Sequence, residues 1–166
     1  MENQSVKVVN TKLPGFLLLD AITGMKEEKI SGARQFFNAA PWLCVESLAQ
    51  LGAFHVRFLT GFEKHAFLLK INRCLMPRQG TLKGRYLLQG TLLSRSSAAF
   101  SYELKAGRGN KLEIAGNFLY AAVDYDDVFK KEWLREHYLR LFSCLRNVTE
   151  KDSSQGKEPD SSGSPR

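Results

Sequence analysis

PWLCVESLAQLGAFHVRFLT, Pro41 to Thr60, is a helix-length run in which Glu46 is the only acidic residue and Arg57 the only basic one. Proline opens it, where a missing N–H costs nothing and a fixed φ suits the first turn, and Gly61 follows as a stop. Trp42, Leu43, Val45, Leu48, Leu51, Phe54, Val56, Phe58 and Leu59 cover nearly every face rather than one stripe. The spacing therefore predicts a helix wrapped by other structure. At roughly 1.5 Å per residue the run is about 30 Å long, which is also the length of a membrane span. Glu46, Gln50, His55 and Arg57 interrupt it and no second apolar segment accompanies it, so a core helix and no membrane span is the expectation.

Glu46 is the informative residue of this run. A carboxylate between Val45, Leu48 and Ala49 on a mostly buried helix has its charged form disfavoured unless a partner compensates, and carboxylates in that position serve as general acids or bases. Gln50, one turn on, shares its face and can hydrogen-bond to it or line the same pocket. The bland alternative is that Glu46 reaches an exposed strip or pairs with an arginine.

Outside the helix the pattern is that of strands. LPGFLLLDAITGM (Leu13 to Met25) reads as a turn and a buried strand with Phe16 to Leu19 continuous, and Ile30 to Phe37 as its antiparallel return. Val6 to Val9 is a further short apolar run, an edge strand or a mobile one. Beyond the helix, HAFLLKINRCLMP, TLKGRYLLQGTLLSRSS, AAFSYELKAG and KLEIAGNFLYAAV alternate, with Phe100, Tyr102 and Leu104 on one face and Leu112, Ile114, Gly116 and Phe118 on another. GRGN (Gly107 to Asn110) is a hairpin turn. Strands that bury one face need a cover, and the central helix is the available one.

A second helix is expected over DYDDVFKKEWLREHYLRLFSCLRN, about 126–146, with Asp124, Asp126 and Asp127 at its N-terminal end and an apolar stripe of Val128, Trp133, Leu134, Tyr138, Leu141, Phe142 and Leu145. From Thr149 on no large apolar residue occurs, so 147–166 is expected to be a disordered tail after one domain of residues 1–146.

The composition excludes several classes. At 166 residues one domain with a real core is expected. Cys44, Cys74 and Cys144 have no CxxC spacing and are odd in number, which points to a reducing compartment, without a disulfide framework or a structural metal. The N-terminus lacks the basic start and apolar core of a signal peptide, so a cytoplasmic protein is expected. The net charge of +7 would favour an acidic partner. Aromatics follow core periodicity rather than interleaving with a basic stripe, so nucleic acid is not that partner. His55, His65 and His137 have no ligand spacing, and no metal or other cofactor is called for.

A long helix wrapped by an antiparallel sheet is the order of the α+β hotdog fold, and the local sequence resembles one branch of it, the 3-hydroxyacyl-(acyl carrier protein) dehydratases of fatty acid synthesis. LPGFLLLDAI is similar to that family's opening strand, ARQFFN to its segment before the active-site loop, VESLAQLGA to the start of its central helix, and INRCLMPRQGTL to the strand and turn that follow. The resemblance spans about residues 13–123 and implies a dehydratase-like activity on acyl thioesters. It implies a catalytic role for Glu46 and a site-lining one for Gln50, in a site shared across a dimer interface. In the family a loop histidine abstracts the α-proton, and the carboxylate helps the 3-hydroxyl leave as water. Here the loop is only Asn38, Ala39 and Ala40 and holds no histidine; His55 lies beyond Glu46 on the same helix and His65 past its end. Asn38, Ala39 and Ala40 are left as candidate substrate-binding residues, polarising the thioester carbonyl at the helix N-terminus. The activity is then reduced or completed by a second hotdog chain, in a homodimer or hetero-oligomer, with acyl carrier protein as the acidic partner. The alternatives are a thioesterase using Glu46 and a non-catalytic acyl-carrier-binding subunit.

Overall fold

The computed structural model describes residues 16–154, with side chains to residue 148; the Val6 to Val9 run and the tail beyond Ser154 lie outside the described residues. Its elements are β1 (Ala21–Met25), β2 (Lys29–Ala39), α1 (Pro41–Leu59), β3 (His65–Leu75), β4 (Leu82–Arg95), β5 (Ala99–Arg108), β6 (Lys111–Val123) and α2 (Lys131–Ser154). The strands form one antiparallel sheet in the order β1-β2-β4-β5-β6-β3, and α1 packs against β2 to β6.

Alternation puts one face of each long strand on α1. Phe100, Tyr102, Leu104 and Ala106 of β5 are buried and stand opposite Tyr120, Phe118, Gly116 and Ile114 of β6. Leu48, Leu51, Phe54 and Val56 of α1 meet them, which is why the helix is apolar nearly all round. Its C-terminus closes as a Schellman turn: Phe62 N–H donates to Arg57 C=O (2.7 Å) and Gly61 N–H to Phe58 C=O (3.0 Å). Gly61 takes the left-handed conformation this turn needs (φ 61°), at no Cβ penalty.

Three expectations are corrected. The run Phe16 to Leu19 is not a strand; the ladder starts only at Asp20, whose N–H donates to Ala33 C=O (3.0 Å). Leu17 and Leu19 still fill the core, but the backbone polar groups of Phe16 and Leu18 go to a side chain of α1, described below. The second helix starts at Lys131, because Asp126 spends its carboxylate on the Val128 and Phe129 N–H groups (2.8 and 2.7 Å), a local turn that competes with helix. It continues to Ser154, into the segment expected to be a disordered tail. Leu134, Leu141 and Leu145 are its buried stripe, while Val128 and Trp133 are exposed. Finally, Leu112 is exposed. A register shift between Ala106 and Gly107 breaks the alternation there, and Glu113 is tucked in instead.

The second helix lies beside β1 and over the C-terminal half of α1, where Phe142 packs on Phe54 (6.3 Å) and Phe62 (5.3 Å). Glu63 anchors its first turn by ion pairs to Lys131 (2.5 Å) and Arg135 (3.0 Å). No helix among the described residues is long and apolar enough to cross a membrane.

Candidate functional site

One face of α1 is not covered by the sheet. Glu46, Ala49, Gln50, Ala53 and Arg57 recur along it at helical spacing, and the two alanines leave room above the helix. The result is a cavity of about 230 Å³, lined besides these by Phe16, Phe54, Leu68 of β3, Tyr120 and Tyr138.

Gln50 works in two directions. Its Oε1 accepts from Leu18 N–H (2.8 Å), and its Nε2 donates to Phe16 C=O (2.8 Å) and to Glu46 Oε1 (3.1 Å). The amide thus replaces the missing ladder of the Phe16 to Leu19 segment and, with the same nitrogen, holds the Glu46 carboxylate at the edge of the cavity. Glu46 is half-buried. The expected pairing of Glu46 and Gln50 on one face is present, and Gln50 is also the clasp for the wall of the site.

Asn38, Ala39 and Ala40 do not line this cavity. Asn38 is exposed at a bulge in the β2–β4 pairing and adopts a left-handed conformation (φ 52°), which asparagine tolerates better than most residues. Ala40 precedes α1 without a side-chain cap, and the first turn holds no acidic residue. That terminus borders a second, more polar cavity of about 420 Å³ between Pro41, the β3–β4 turn and the β5–β6 hairpin.

This second cavity contains a cluster that the sequence reading missed. Tyr86 donates its hydroxyl hydrogen bond to Glu113, and Arg108 donates to the other carboxylate oxygen from Nη2 (3.1 Å) and Nε (3.3 Å). The Tyr86 bond and then Arg108 hold the Glu113 carboxyl below its ordinary range, and burial with Glu113 pushes Tyr86 up to about 12. Simple alternation places Glu113 outward; it is the extra residue of a β6 bulge, between the Ala106–Ile114 and Gly107–Leu112 pairs, and its side chain is tucked in.

Arg57 is the other unforeseen feature. It is 4 % exposed and its guanidinium stacks 3.7 Å from the centroid of the Tyr138 ring. Burial pulls it down from its ordinary value. Cys44, by contrast, is an inert core thiol, pushed up to about 12 by burial.

The histidines do not line the Glu46 cavity. His55 is fully buried: Nε2 donates to Lys26 C=O (2.7 Å), which can only accept, so Nδ1 is left to accept from the Tyr102 hydroxyl (2.9 Å). His65 is stacked on Phe129 (5.1 Å) and edge-on to Phe67 (4.4 Å), and burial plus the Arg57 charge lower it to about 4. His55 and His137 are lowered chiefly by burial too. A folded value below the unfolded one means the unfolded chain binds protons first as pH falls. Stability is therefore expected to be fully present above about pH 6.5 and to decline as pH falls toward about 4. His65→Phe should flatten that decline in thermal melts; an unchanged slope would show that the His65 ring is not the titrating group.

Among the described residues, no cluster of three or more His, Cys, Asp or Glu is placed to hold a metal ion. No protein-family model and no curated protein matches the sequence. Solved structures do. A mutant thioesterase from Pseudomonas aeruginosa superposes with a TM-score of 0.54 at 13% identity, covering 62% of this chain and 80% of its own. A conserved protein from the same organism gives 0.59 at 10% identity, covering 73% and 99%. The dehydratase heterocomplex ApeI:P from Xenorhabdus doucetiae gives 0.57 at 13% identity, covering 69% and 86%. At such identities the likeness establishes the fold, and the fold of this chain is the hotdog.

Proposed function

We propose that this chain handles acyl thioesters as a dehydratase-type hotdog subunit, with Glu46 as its working carboxylate and the missing base supplied by a second hotdog chain. The observation that carries this reading is the Glu46 carboxylate, held half-buried by Gln50 on an apolar cavity that runs along α1 beside the β3 edge. In the reaction a base takes the α-proton of a 3-hydroxyacyl thioester. Glu46 in its acid form gives its proton to the 3-hydroxyl, the C–O bond breaks, and water leaves an enoyl thioester behind.

Strand β3 is a sheet edge whose Leu69 and Leu75 are 59 % and 71 % exposed. Long apolar edges of this kind are covered by pairing. A second hotdog chain placed there adds its own residues to the open side of the Glu46 cavity. The uncapped N-terminus of α1 at Asn38 to Ala40 then belongs to the opposite site, where its positive dipole end and free N–H groups suit a thioester carbonyl. Likeness to a dehydratase heterocomplex supports the two-chain reading, and the excess of basic residues suits an acidic acyl carrier protein.

The test is to follow enoyl formation and free thiol from a 3-hydroxyacyl thioester on acyl carrier protein, with the chain alone and with a histidine-bearing hotdog partner. Enoyl product that appears only with the partner is the expected result. Thiol release by the chain alone would establish the second reading, a thioesterase, which one observation favours: the cavity holds a carboxylate and no histidine.

A further inference from the structure

The cavity along α1 has chemistry at both ends. Glu46 stands at one end and Arg57 at the other, eleven positions and three turns along the same helix, or about 16 Å. Between them the floor is Ala49 and Ala53, and Phe54 and Leu68 supply apolar walls.

Arg57 is poorly satisfied where it lies. Only Nη2 donates, in a long bond to Ala66 C=O (3.3 Å), and the buried Nε has no partner. Among the described residues no carboxylate comes within ion-pair distance of it. The group set against it is the Tyr138 ring face. A buried cation without a counter-ion is costly, and a ring face compensates only part of that cost. The Tyr138 ring lies against the guanidinium, its centroid 3.7 Å from Cζ. His65 and His137, both lowered in part by the Arg57 charge, add no negative group to this end.

We infer that the Arg57 end of the cavity recognises a carboxylate, so that the acyl thioester suited to this site carries an anionic group at the end remote from the thioester. This inference rests on the acyl-thioester reading above. It assigns Arg57 as the residue that determines which acyl chain is taken, through the guanidinium charge it brings to that end of the cavity. An unsubstituted chain of the same length would leave the guanidinium as unsatisfied as it is now.

The test uses the full chain and two non-hydrolysable ketone analogues, of decanoyl-coenzyme A and of the sebacoyl monothioester of coenzyme A, which differ only in a terminal methyl against a terminal carboxylate. Binding is measured by titration calorimetry. The sebacoyl analogue is expected to bind about ten- to a hundredfold more tightly, and Arg57→Met, which keeps the apolar stem, to cancel the difference. Equal affinities, or an advantage that survives in Arg57→Met, overturn the inference and leave the acyl-thioester reading standing. Failure of both analogues to bind overturns the two together. The wild-type comparison decides the matter by itself if Arg57→Met does not fold.

Discussion

Replacing Glu46 by glutamine is expected to lower turnover of the acyl thioester by roughly 10²- to 10⁴-fold, the span attributed to a positioned acid or base, in whichever channel the chain is active. The fold should be unaffected. The Gln50 amide donates to Glu46 Oε1 at 3.1 Å, and a glutamine carbonyl at the same place accepts that bond equally well. The clasp on Phe16 and Leu18 uses the other contacts of Gln50 and is untouched. A melting temperature within a degree or two of wild type, beside a collapsed rate, is the combination that assigns the carboxylate a chemical task. A rate that survives Glu46→Gln would send the search to the Glu113 cluster, a second carboxylate set in a cavity.

The second large effect reverses a general rule. A glycine inside a helix costs roughly 1 kcal/mol relative to alanine, so Gly52→Ala in α1 ought to stabilise. Here it is expected to destabilise by about 1–3 kcal/mol, the range for overpacking a tight core. A β-carbon at Gly52 would run into the Tyr120 ring, with Cζ at 2.7 Å and Cε2 at 2.9 Å and the hydroxyl nearer still. Tyr120 cannot move aside cheaply. It is fully buried, its hydroxyl donates to Ala49 C=O (2.9 Å), and its ring meets Tyr102 edge-on at 5.6 Å. Loss of several degrees in the melting temperature is the expected reading, at about 2–4 °C per kcal/mol for a chain of this size. A Gly52→Ala variant as stable as wild type would mean that helix and sheet separate more easily than this packing allows. Because Tyr120 and Ala49 also line the cavity, the same variant should weaken acyl-thioester binding.

Much of the architecture is legible in the amino-acid sequence. The apolar run from Pro41 to Leu59 can be buried only if something surrounds it, and the alternating strands after it have one apolar face each to offer. Their mutual need specifies a helix wrapped by a sheet. The i, i+4 spacing of Glu46 and Gln50 likewise obliges their side chains to share a face, whatever the fold. Legibility ended where a polar side chain took over backbone partners from a neighbour. Gln50 satisfies Phe16 and Leu18, so an apolar run that reads as strand stays irregular. Asp126 satisfies Val128 and Phe129, so a stretch that reads as the start of a helix becomes a turn.

The residues from Leu13 to Val123 thus determined, by themselves, a hotdog arrangement with a carboxylate and an amide on one helix face and no histidine in the few residues before it. Only the tertiary structure decided what surrounds that face. Arg57 reads in the sequence as one basic residue near a helix end, and becomes a buried, half-satisfied guanidinium because α2 lays Tyr138 across it. Glu113 reads as an outward strand position, and becomes the acceptor of Tyr86 and Arg108 because it is the extra residue of a β6 bulge that shifts the register. Periodicity is a property of neighbours along the chain. Burial of a charge depends on segments that meet only once the sheet has closed around the helix.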